Sequence, residues 1–352
     1  MQPIVSVIMA VHNGEGYLDD AVKSILSQTF SDFEFIIIDD GSTDGTAALL
    51  KEFERSDRRI RLYWNEKNLG LSQSLNIGLG FARGEYIVRM DADDISLPER
   101  LRKQVEYMEC HADVGVCGTW AELIGDQTGS LKHPTAHDEI YTKMLFENGI
   151  MHPTVIMRLA VLDQNNLRYE VREPYIEDYD LWSRAIPFMQ FANIPEVMLH
   201  YRLHRANTYN LHGDEQRIGR ARIYARMLSR LQIDATEADL SLHEKLGMYQ
   251  YESAYAFAQS AHAWFEKLLY ANSLVELFPQ RVLEAQLARR WSQICSFTQE
   301  RAYLVFLSIL SSPLPYKGST GVIKIARALI FLLRKSSLHF VDLFKKAFLP
   351  RS

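Results

Sequence analysis

The first 120 residues alternate between short apolar runs and amphipathic segments. Five runs rich in β-branched residues predict strands: VSVIMAV (Val5–Val11), FEFIIID (Phe33–Asp39), IRLYW (Ile60–Trp64), YIVRM (Tyr86–Met90) and VGVC (Val114–Cys117). The segments between them carry apolar residues at helical spacing, as Leu18, Ala21 and Ile25 do in the first. Because strands that alternate with helices form βαβ units, the pattern predicts an α/β fold. Its sheet is expected to be mainly parallel, with helices on both faces.

Beyond this region the pattern changes twice. From Gly125 to Asn207 the chain is rich in His, Arg, Tyr and Pro, which predicts short helices and strands. After His212, stretches such as RIGRARIYARMLSRLQ and ESAYAFAQSAHAWFEKLL contain little Gly or Pro and predict an α-helical extension. We therefore divide the chain into an α/β domain at 1–210, a helical extension at 211–312 and a tail at 313–352.

The tail differs from the rest of the chain in charge. Its forty residues hold eight Lys or Arg against one acid, Asp342, a balance of +7 that leaves −12 for the rest of a chain whose net charge is −5. At 100° per residue, most of the basic side chains share one face and most of the apolar ones the opposite face, although Phe331 and Leu338 fall on the basic face. Such a cationic amphipathic helix suits an anionic membrane surface. The alternative is a helix that docks on the acidic part of its own chain.

Composition argues against several classes of protein. A net charge of −5 and a pI of about 6.1 give no reason to expect nucleic acid as a partner. Cys110, Cys117 and Cys295 form no CxxC pair, which indicates a reducing compartment and no structural zinc. The N-terminal MQPIVSVIMAVHNG predicts a strand rather than a secretory signal. No uninterrupted apolar run reaches the roughly 20 residues of a membrane-spanning helix. We expect a cytoplasmic protein.

A polar turn follows each of the first four predicted strands. The turns read HNGEG, DDGSTDGT, NEKNLG and DADD. In an open α/β sheet they lie together at the carboxyl edge, where such folds bind ligands. Helix capping sufficiently explains why Ser42, Thr43 and Asp44 occur in the second turn. It explains less well the aspartates that stand directly at the ends of the strands.

The fourth turn places three aspartates in four positions, Asp91, Asp93 and Asp94. Carboxylates this close repel one another unless water, backbone amides or a cation compensates them. A helix starting near Pro98 explains Ser96 and Asp94 as its caps, but it does not require Asp91 and Asp93. Hard oxygen ligands of this kind suit Mn²⁺ or Mg²⁺. The chain contains no G-x-G-x-x-G, P-loop, G-x-S-x-G or H-E-x-x-H motif, which leaves the aspartates as the leading chemical signal.

Five segments in this order resemble those of family-2 glycosyltransferases with the GT-A fold. They are VSVIMAVHNGEGYL, ILSQTF, FEFIIIDDGSTDGT, GLSQSLNIGLGFARGEYIVRMDADD and EDYDLW, within Pro3–Asn207. The resemblance implies an inverting, metal-dependent enzyme of hexosyltransferase type. Such enzymes move a sugar from a nucleotide-diphospho-sugar, usually a UDP-sugar, to a glycan or lipid-linked acceptor. Bacterial members commonly build lipopolysaccharide, capsule or other surface glycans. Because the Q-x-x-R-W stretch and multiple spans of processive members do not occur here, we expect one sugar to be added per encounter.

The family pattern also implies a nucleotide site. The segment that packs on the base and ribose corresponds to Ala10, Val11, His12 and Asn13. The acid pair after the second strand corresponds to Asp39 and Asp40, one of which hydrogen-bonds the base. The first aspartate of the DxD motif, Asp91, also lies on the nucleotide side.

The same pattern implies the metal and catalytic residues. Asp91 and Asp93 match the metal-binding DxD motif, with Asp93 as the direct ligand, and His204 matches a histidine that joins the metal or the diphosphate. Asp178 matches the catalytic base, with Glu177 beside it. Without the family pattern, a surface acid or helix cap would be the favoured interpretation of Asp178. For His204, the alternative to a ligand is a structural histidine.

Two further features have open interpretations. Met151–Arg158 (MHPTVIMR) resembles stretches near the acceptor side of surface-glycan transferases, although His152 is equally explained as packed structure. Arg83 and Arg89 could meet phosphates or be ordinary surface residues.

Two rival functions remain at this stage. One is a non-catalytic partner that binds sugar nucleotides or glycans, which would be favoured if an acid of the motifs were missing; none is. The other is a nucleotidyltransferase, which normally needs a basic, Gly-rich loop after the first strand. HNGEGY contains no Lys or Arg.

Overall fold

The computed structural model describes residues 2–173, 175–204 and 213–297. The chain separates into two compact units, the first ending at Met227 and the second starting at Leu228. The basic tail at 313–352 lies outside the described residues, so its amphipathic helix stays a prediction.

The first unit is built on one sheet. Its described strands are β1 (Val5–Val11), β2 (Phe33–Asp39), β3 (Ile60–Trp64), β4 (Tyr86–Met90), β5 (Ile95–Ser96), β6 (Val114–Gly125), β7 (Gly129–Leu131), β8 (Ile156–Arg158) and β9 (Gln190–Leu203). Its described helices are α1 (Leu18–Leu26), α2 (Thr46–Ser56), α3 (Leu71–Phe81), α4 (Arg100–Cys110), α5 (His137–Lys143), α6 (Leu159–Gln164), α7 (Glu177–Ala185) and most of α8 (Gly213–Arg230). The four predicted strands up to Met90 have the predicted bounds. The fifth is longer than predicted and runs on to Gly125, because its second half pairs with β7 and β9.

The strand order is β3-β2-β1-β4-β8-β6-β9-β5, with β7 beside β6. The predicted parallel arrangement is confirmed for β1 to β4, in which β1 pairs with β2 and β4, and β2 pairs with β3. Beyond β4 the sheet is mixed, since β8 runs antiparallel to both β4 and β6. A four-stranded parallel half therefore aligns its carboxyl ends, and β9 returns to the same region through its pairing with β5.

The apolar runs of β1, β2 and β4 are buried because helices cover the sheet, whereas the edge strand β3 is only partly buried. Every residue of β2 is buried, as the uninterrupted run FEFIIID predicts for a strand covered on both faces. Leu18, Ala21 and Ile25 of α1 are fully buried in the same core. Each large aliphatic side chain in such a core contributes roughly 1.5–3 kcal/mol. Tyr17, at the start of the same helical face, remains 37% exposed.

Buried ion pairs fix the position of α7. Asp180 has no solvent exposure, and it accepts hydrogen bonds from Arg184 of the same helix (2.8 Å) and from Arg226 of α8 (2.8 Å). Tyr224 of α8 donates a further hydrogen bond to the carbonyl oxygen of Phe146 (2.9 Å). These contacts hold α7 firmly within the first unit.

The second unit is helical in its described part, as predicted. It contains the end of α8 and the helices α9 (Glu237–Gly247), α10 (Tyr255–Val275) and α11 (Gln280–Phe297). A capping box between Thr236 and Asp239 starts α9, and Trp264 donates a buried hydrogen bond to His243 (3.0 Å). Among the described helices, none combines the length and the apolar composition that crossing a bilayer requires.

Candidate active site

Two of the predicted nucleotide-binding segments meet at the carboxyl edge of the parallel strands. Val11 of β1 pairs with Asp39 of β2, and the N–H of Asp40 donates to the carbonyl oxygen of Val11 (2.8 Å). Asn13 adopts a positive φ of 54°, which Asn tolerates better than most residues. Its N–H donates to Ser42 Oγ (2.9 Å), and its Oδ1 accepts from the N–H of Thr43 (2.8 Å). The two turns are thus joined into one wall at the carboxyl edge of the sheet.

Asp40 supports the neighbouring loop. Its Oδ1 accepts hydrogen bonds from Asn65 Nδ2 (2.8 Å) and from the N–H of Leu69 (2.8 Å), and its Oδ2 accepts from the N–H of Gly70 (2.8 Å). Asp39 uses Oδ1 to accept from the N–H of Ser42 (3.0 Å), and the described residues give its Oδ2 no hydrogen bond. Of the predicted acid pair, Asp39 therefore has the more available carboxylate.

Gly41 follows this pair and allows the loops to approach closely. Its φ is +70°, and a Cβ there would lie 2.5 Å from the backbone carbon of Lys67. A side chain would force the two loops apart, so glycine is required at this turn.

The DADD turn gathers its three carboxylates. One carboxylate oxygen from each of Asp91, Asp93 and Asp94 lies within 4.8 Å of the others. Asp94 is fully buried and has an Oδ2 atom without a hydrogen-bond partner among the described residues. Burial raises the pKa of Asp94 well above its ordinary value, and the charges of Asp91 and Asp93 raise it further. Clustered hard oxygen atoms with an uncompensated buried acceptor fit a divalent cation such as Mn²⁺ or Mg²⁺.

The predicted helix caps after this turn are wrong. Helix α4 begins at Arg100 rather than near Pro98, with Glu99 preceding it. Asp94 instead accepts at Oδ1 from the N–H of Arg202 on β9 (2.8 Å). Ser96 lies in β5, and its buried Oγ has no partner in the described part of the chain. The pairing of β5 with β9 draws both residues away from the helix end.

Arg89 is a buried residue of this cluster and not a surface residue. Its side chain is 4% exposed and forms an ion pair with Asp91. Burial raises the pKa of Asp91, and the Arg89 charge opposes that rise. Arg83 has a different role, because it is 54% exposed and pairs with Glu34 Oε2 (2.6 Å) at the opposite edge of the sheet. The structure therefore places Arg89 in the candidate site and Arg83 outside it.

The end of β9 brings a histidine to the acidic turn. His204 Nε2 lies 2.9 Å from Asp93 Oδ2, and the His204 ring stacks on Tyr17 with a centroid separation of 5.0 Å. Arg202 donates to the carbonyl oxygen of Asp93 (2.8 Å) and places its guanidinium 4.8 Å from the centre of the Tyr17 ring. Tyr17, which directly precedes α1, therefore contributes to this cluster rather than to the core beneath the helix.

Glu177 and Asp178 occupy the first turn of α7. Burial, followed by the charge of Asp178, raises the pKa of Glu177 to about 7. Burial also raises the pKa of Asp178, against the N–H of Tyr179 and the charge of Arg89. The charge of Asp91 raises the pKa of both acids, so the α7 acids and the DADD turn lie within electrostatic reach of each other. Carboxyl groups with raised pKa values beside a cation site are typical of acid–base catalysis.

His152 is a buried residue with a structural role. It is 7% exposed, its Nε2 lies 2.8 Å from the hydroxyl of Tyr169, and its ring meets the edge of Trp182 at 6.1 Å between centroids. Burial, followed by the charge of Arg89, lowers the pKa of His152 well below its ordinary value. His152 is therefore neutral and has a structural role among Tyr169 and Trp182.

The sequence did not single out Asn148 or Tyr169. Asn148 Nδ2 donates to Asp178 Oδ2 (2.8 Å). The backbone of Tyr169 is joined to Asn76 of α3 by two hydrogen bonds of 2.8 and 3.0 Å. Both residues lie in segments without clear hydrophobic periodicity. The sequence therefore offered no signal for either contact, apart from the position of Asn148 just before MHPTVIMR.

The comparisons with known proteins agree with this geometry. The profile of the family described as Glycosyl transferase family 2 matches residues 6–165. An uncharacterized glycosyltransferase of Haemophilus influenzae is 41% identical over 225 residues, which cover 61% of this chain and 70% of that protein. The O-antigen biosynthesis glycosyltransferase WbnJ of Escherichia coli is 38% identical over 213 residues, covering 58% of this chain and 82% of WbnJ.

Among solved structures, S. aureus TarS 1–349 in complex with UDP-GlcNAc superposes with a TM-score of 0.56. The match covers 88% of this chain and 92% of TarS 1–349 at 17% sequence identity, which indicates a shared fold. The parallel half-sheet, the acidic turn after β4 and the relatives of substantial coverage lead to one conclusion. This chain belongs to glycosyltransferase family 2 and has the GT-A fold.

Proposed function

We propose that the protein transfers one sugar from a nucleotide-diphospho-sugar to a glycan or lipid-linked acceptor, with inversion at the transferred carbon. The observation that carries the proposal is the meeting of two acid groups at the carboxyl edge of the sheet. The cluster of Asp91, Asp93 and Asp94 lies within electrostatic reach of Glu177 and Asp178. The first group suits a cation and a diphosphate, and the second suits proton transfer from an acceptor hydroxyl.

The donor nucleotide is assigned to the wall formed by the first two turns. Ala10, Val11, His12 and Asn13 would pack on the base and ribose, and Asp39 would hydrogen-bond the base through its available oxygen. A UDP-sugar is the donor we favour, because a protein of the same fold, TarS, has been crystallised with UDP-GlcNAc. Asp40 would act indirectly, since its carboxylate already accepts from Asn65 Nδ2 and from the N–H groups of Leu69 and Gly70 in the loop after β3.

The cation is assigned to Asp93, Asp91 and His204. When bound, Mn²⁺ or Mg²⁺ would supply positive charge to the diphosphate as negative charge develops on it. Arg89 forms an ion pair with Asp91, and the Tyr17 ring stacks on the His204 ring. The site residues are thereby oriented before a ligand arrives, which preserves the geometry that electrostatic stabilisation needs.

Asp178 is assigned as the general base. It would take the proton of the acceptor hydroxyl as that oxygen attacks the sugar, and the diphosphate would leave from the opposite face. Attack opposite the leaving group inverts the configuration, as in inverting glycoside hydrolysis. Glu177, with its pKa of about 7, would tune the charge beside the base.

The acceptor is proposed to belong to cell-surface polysaccharide synthesis. WbnJ, a relative of 38% identity, is described as an O-antigen biosynthesis enzyme. A lipid-linked acceptor would fit a chain that lies on the inner face of the cytoplasmic membrane through its basic segment at 313–352. We retain the proposed division into a catalytic domain at 1–210, a helical extension at 211–312 and this tail.

The proposal is tested by donor hydrolysis and binding across UDP-, GDP- and dTDP-sugars with Mn²⁺. One donor should be turned over in a metal-dependent way, and both Asp93→Ala and Asp178→Asn should abolish its turnover. Asp178→Asn should still bind the donor, because the base does not hold the nucleotide. If no donor binds, or if both variants match the wild-type protein, the enzymatic proposal is wrong.

A further inference from the structure

Asn148 makes a directed contact with the carboxylate of Asp178. Its Nδ2 donates to Asp178 Oδ2 (2.8 Å), while its own Oδ1 accepts from the N–H of Ile150 (3.1 Å). Because an amide oxygen can only accept, the bond to Ile150 fixes which end of the Asn148 amide faces Asp178. Asn148 therefore presents a donor to the acid and no competing acceptor.

The backbone around Asn148 is held rigidly within the first unit. Three hydrogen bonds secure it: Tyr179 Oη to the carbonyl oxygen of Met144 (2.6 Å), Tyr224 Oη to that of Phe146 (2.9 Å) and Asn193 Nδ2 to that of Gly149 (3.2 Å). Tyr179 lies on α7 directly after Asp178, so the segment is attached to the helix of the acid at two points. The backbone of Asn148 is thereby held beside the start of α7.

Asp178 needs such a contact because its surroundings disfavour its charged form. Burial and the charge of Asp91 both raise the pKa of Asp178. A general base must be ionised and must hold its carboxylate in a fixed orientation. Asp178 Oδ1 accepts from the N–H of Tyr179 (2.6 Å), and Asn148 supplies the matching bond to Oδ2. A donor at each oxygen fixes the rotation of the carboxylate and favours the ionised form.

We propose that Asn148 is the positioning residue of the catalytic base, orienting the Asp178 carboxylate toward the acceptor hydroxyl. The inference rests on the proposed function, in which Asp178 is that base. The segment before MHPTVIMR would thus affect the rate of transfer and not the binding of the donor.

The test compares Asn148→Ala and the isosteric Asn148→Asp with the wild-type protein. The probe is the donor that the wild type hydrolyses fastest among UDP-, GDP- and dTDP-sugars with Mn²⁺, and kcat is followed from pH 5 to 9. Asn148→Ala should lower kcat at neutral pH by roughly 10- to 100-fold. The pH below which kcat declines should also move toward higher pH, by about one pH unit. The KM for the donor should stay within roughly threefold of wild type.

Asn148→Asp replaces a donor with a charge of the same sign as the base. It should therefore lower kcat further than Asn148→Ala does. It should also shift the pH below which kcat declines further toward higher pH. Asn165→Ala is the matched control. Asn165 is half-buried in the same unit, and its Nδ2 donates a hydrogen bond to the carbonyl oxygen of Val161 (2.9 Å). That variant should keep the wild-type profile.

The outcomes separate this inference from the proposed function. If Asp178→Asn retains wild-type turnover, Asp178 is not the base and the inference falls with that assignment. If Asp178→Asn is inactive while both Asn148 variants keep the wild-type kcat and its dependence on pH, the inference alone is overturned. It is also overturned if the Asn148 variants change only the KM for the donor.

Discussion

His204 Nε2 lies 2.9 Å from Asp93 Oδ2, although 111 residues separate them in the chain. The end of β9 makes this possible by running antiparallel to the short strand β5, which directly follows the acidic turn. Tyr17, from the turn after β1, stacks on the histidine ring. Three separate segments therefore meet at His204.

Replacing His204 should weaken the binding of the cation. His204→Ala removes a ligand to the proposed site, so the affinity for Mn²⁺ should fall by roughly 10- to 100-fold. The concentration of Mn²⁺ that half-activates donor hydrolysis should rise by the same factor. Direct calorimetric titration of Mn²⁺ into the protein provides a measurement that does not depend on turnover.

His200→Ala is the control for this change. His200 lies on the same strand, its side chain is 31% exposed, and its Nε2 approaches Glu122 Oε2 at 3.5 Å. Its replacement should leave the Mn²⁺ affinity unchanged. Equal affinities in the two variants would mean that His204 supports the fold and does not bind the cation.

Asp39 and Asp40 should respond differently to the same isosteric change. Asp40→Asn weakens the bonds from Asn65, Leu69 and Gly70, and we expect the free energy of unfolding to fall by about 2–4 kcal/mol. Asp39→Asn should chiefly lower the affinity for the donor nucleotide. Urea denaturation and donor titration measure the two effects. The assignment would be reversed if Asp40→Asn lost donor binding at full stability.

The raised pKa of Glu177 predicts how stability depends on pH. Glutamate has an ordinary pKa of 4.5, and folding raises the value for Glu177 to about 7. Between these two pH values the folded protein keeps a proton that the unfolded chain releases. The contribution of Glu177 is thus complete below pH 4.5 and is lost as the pH rises to 7. The loss amounts to roughly 3 kcal/mol.

Glu177→Gln removes this pH dependence. The variant should exceed the wild type in free energy of unfolding by roughly 2–3 kcal/mol at pH 8 and should match it near pH 4.5. Denaturant titrations at the two pH values measure the difference. Glu54→Gln, at an exposed position on α2, should show no such divergence. A constant difference between Glu177→Gln and the wild type at both pH values would contradict the shift.

The basic tail should bind anionic membranes. Its net charge of +7 should give the full chain affinity for vesicles that contain phosphatidylserine, and this affinity should weaken with salt. A chain ending at Ser312 should remain unbound in the same sedimentation assay. If the shortened chain bound as well as the full chain, the tail would not be the membrane contact.

Local sequence was sufficient for the parallel half of the fold. Strands β1 to β4 have the predicted bounds, and the largely apolar runs of β1, β2 and β4 are buried because the sheet is covered on both faces there, whereas β3 is an edge strand and only partly buried. The polar turns after those strands were also predictable as a group, since the carboxyl ends of parallel strands meet at one edge. The motifs then identified the family and its candidate acids.

The partners of those acids were settled by packing between distant segments. No local pattern predicts that Asp94 accepts from Arg202, that Arg89 is buried against Asp91, or that Asn148 faces Asp178. These contacts depend on where β9 and α7 come to lie once the core has formed. Periodicity reports which face of an element is buried, whereas hydrogen-bond partners depend on which elements become neighbours. For that reason the sequence located the chemistry, and the tertiary structure decided how each group is held.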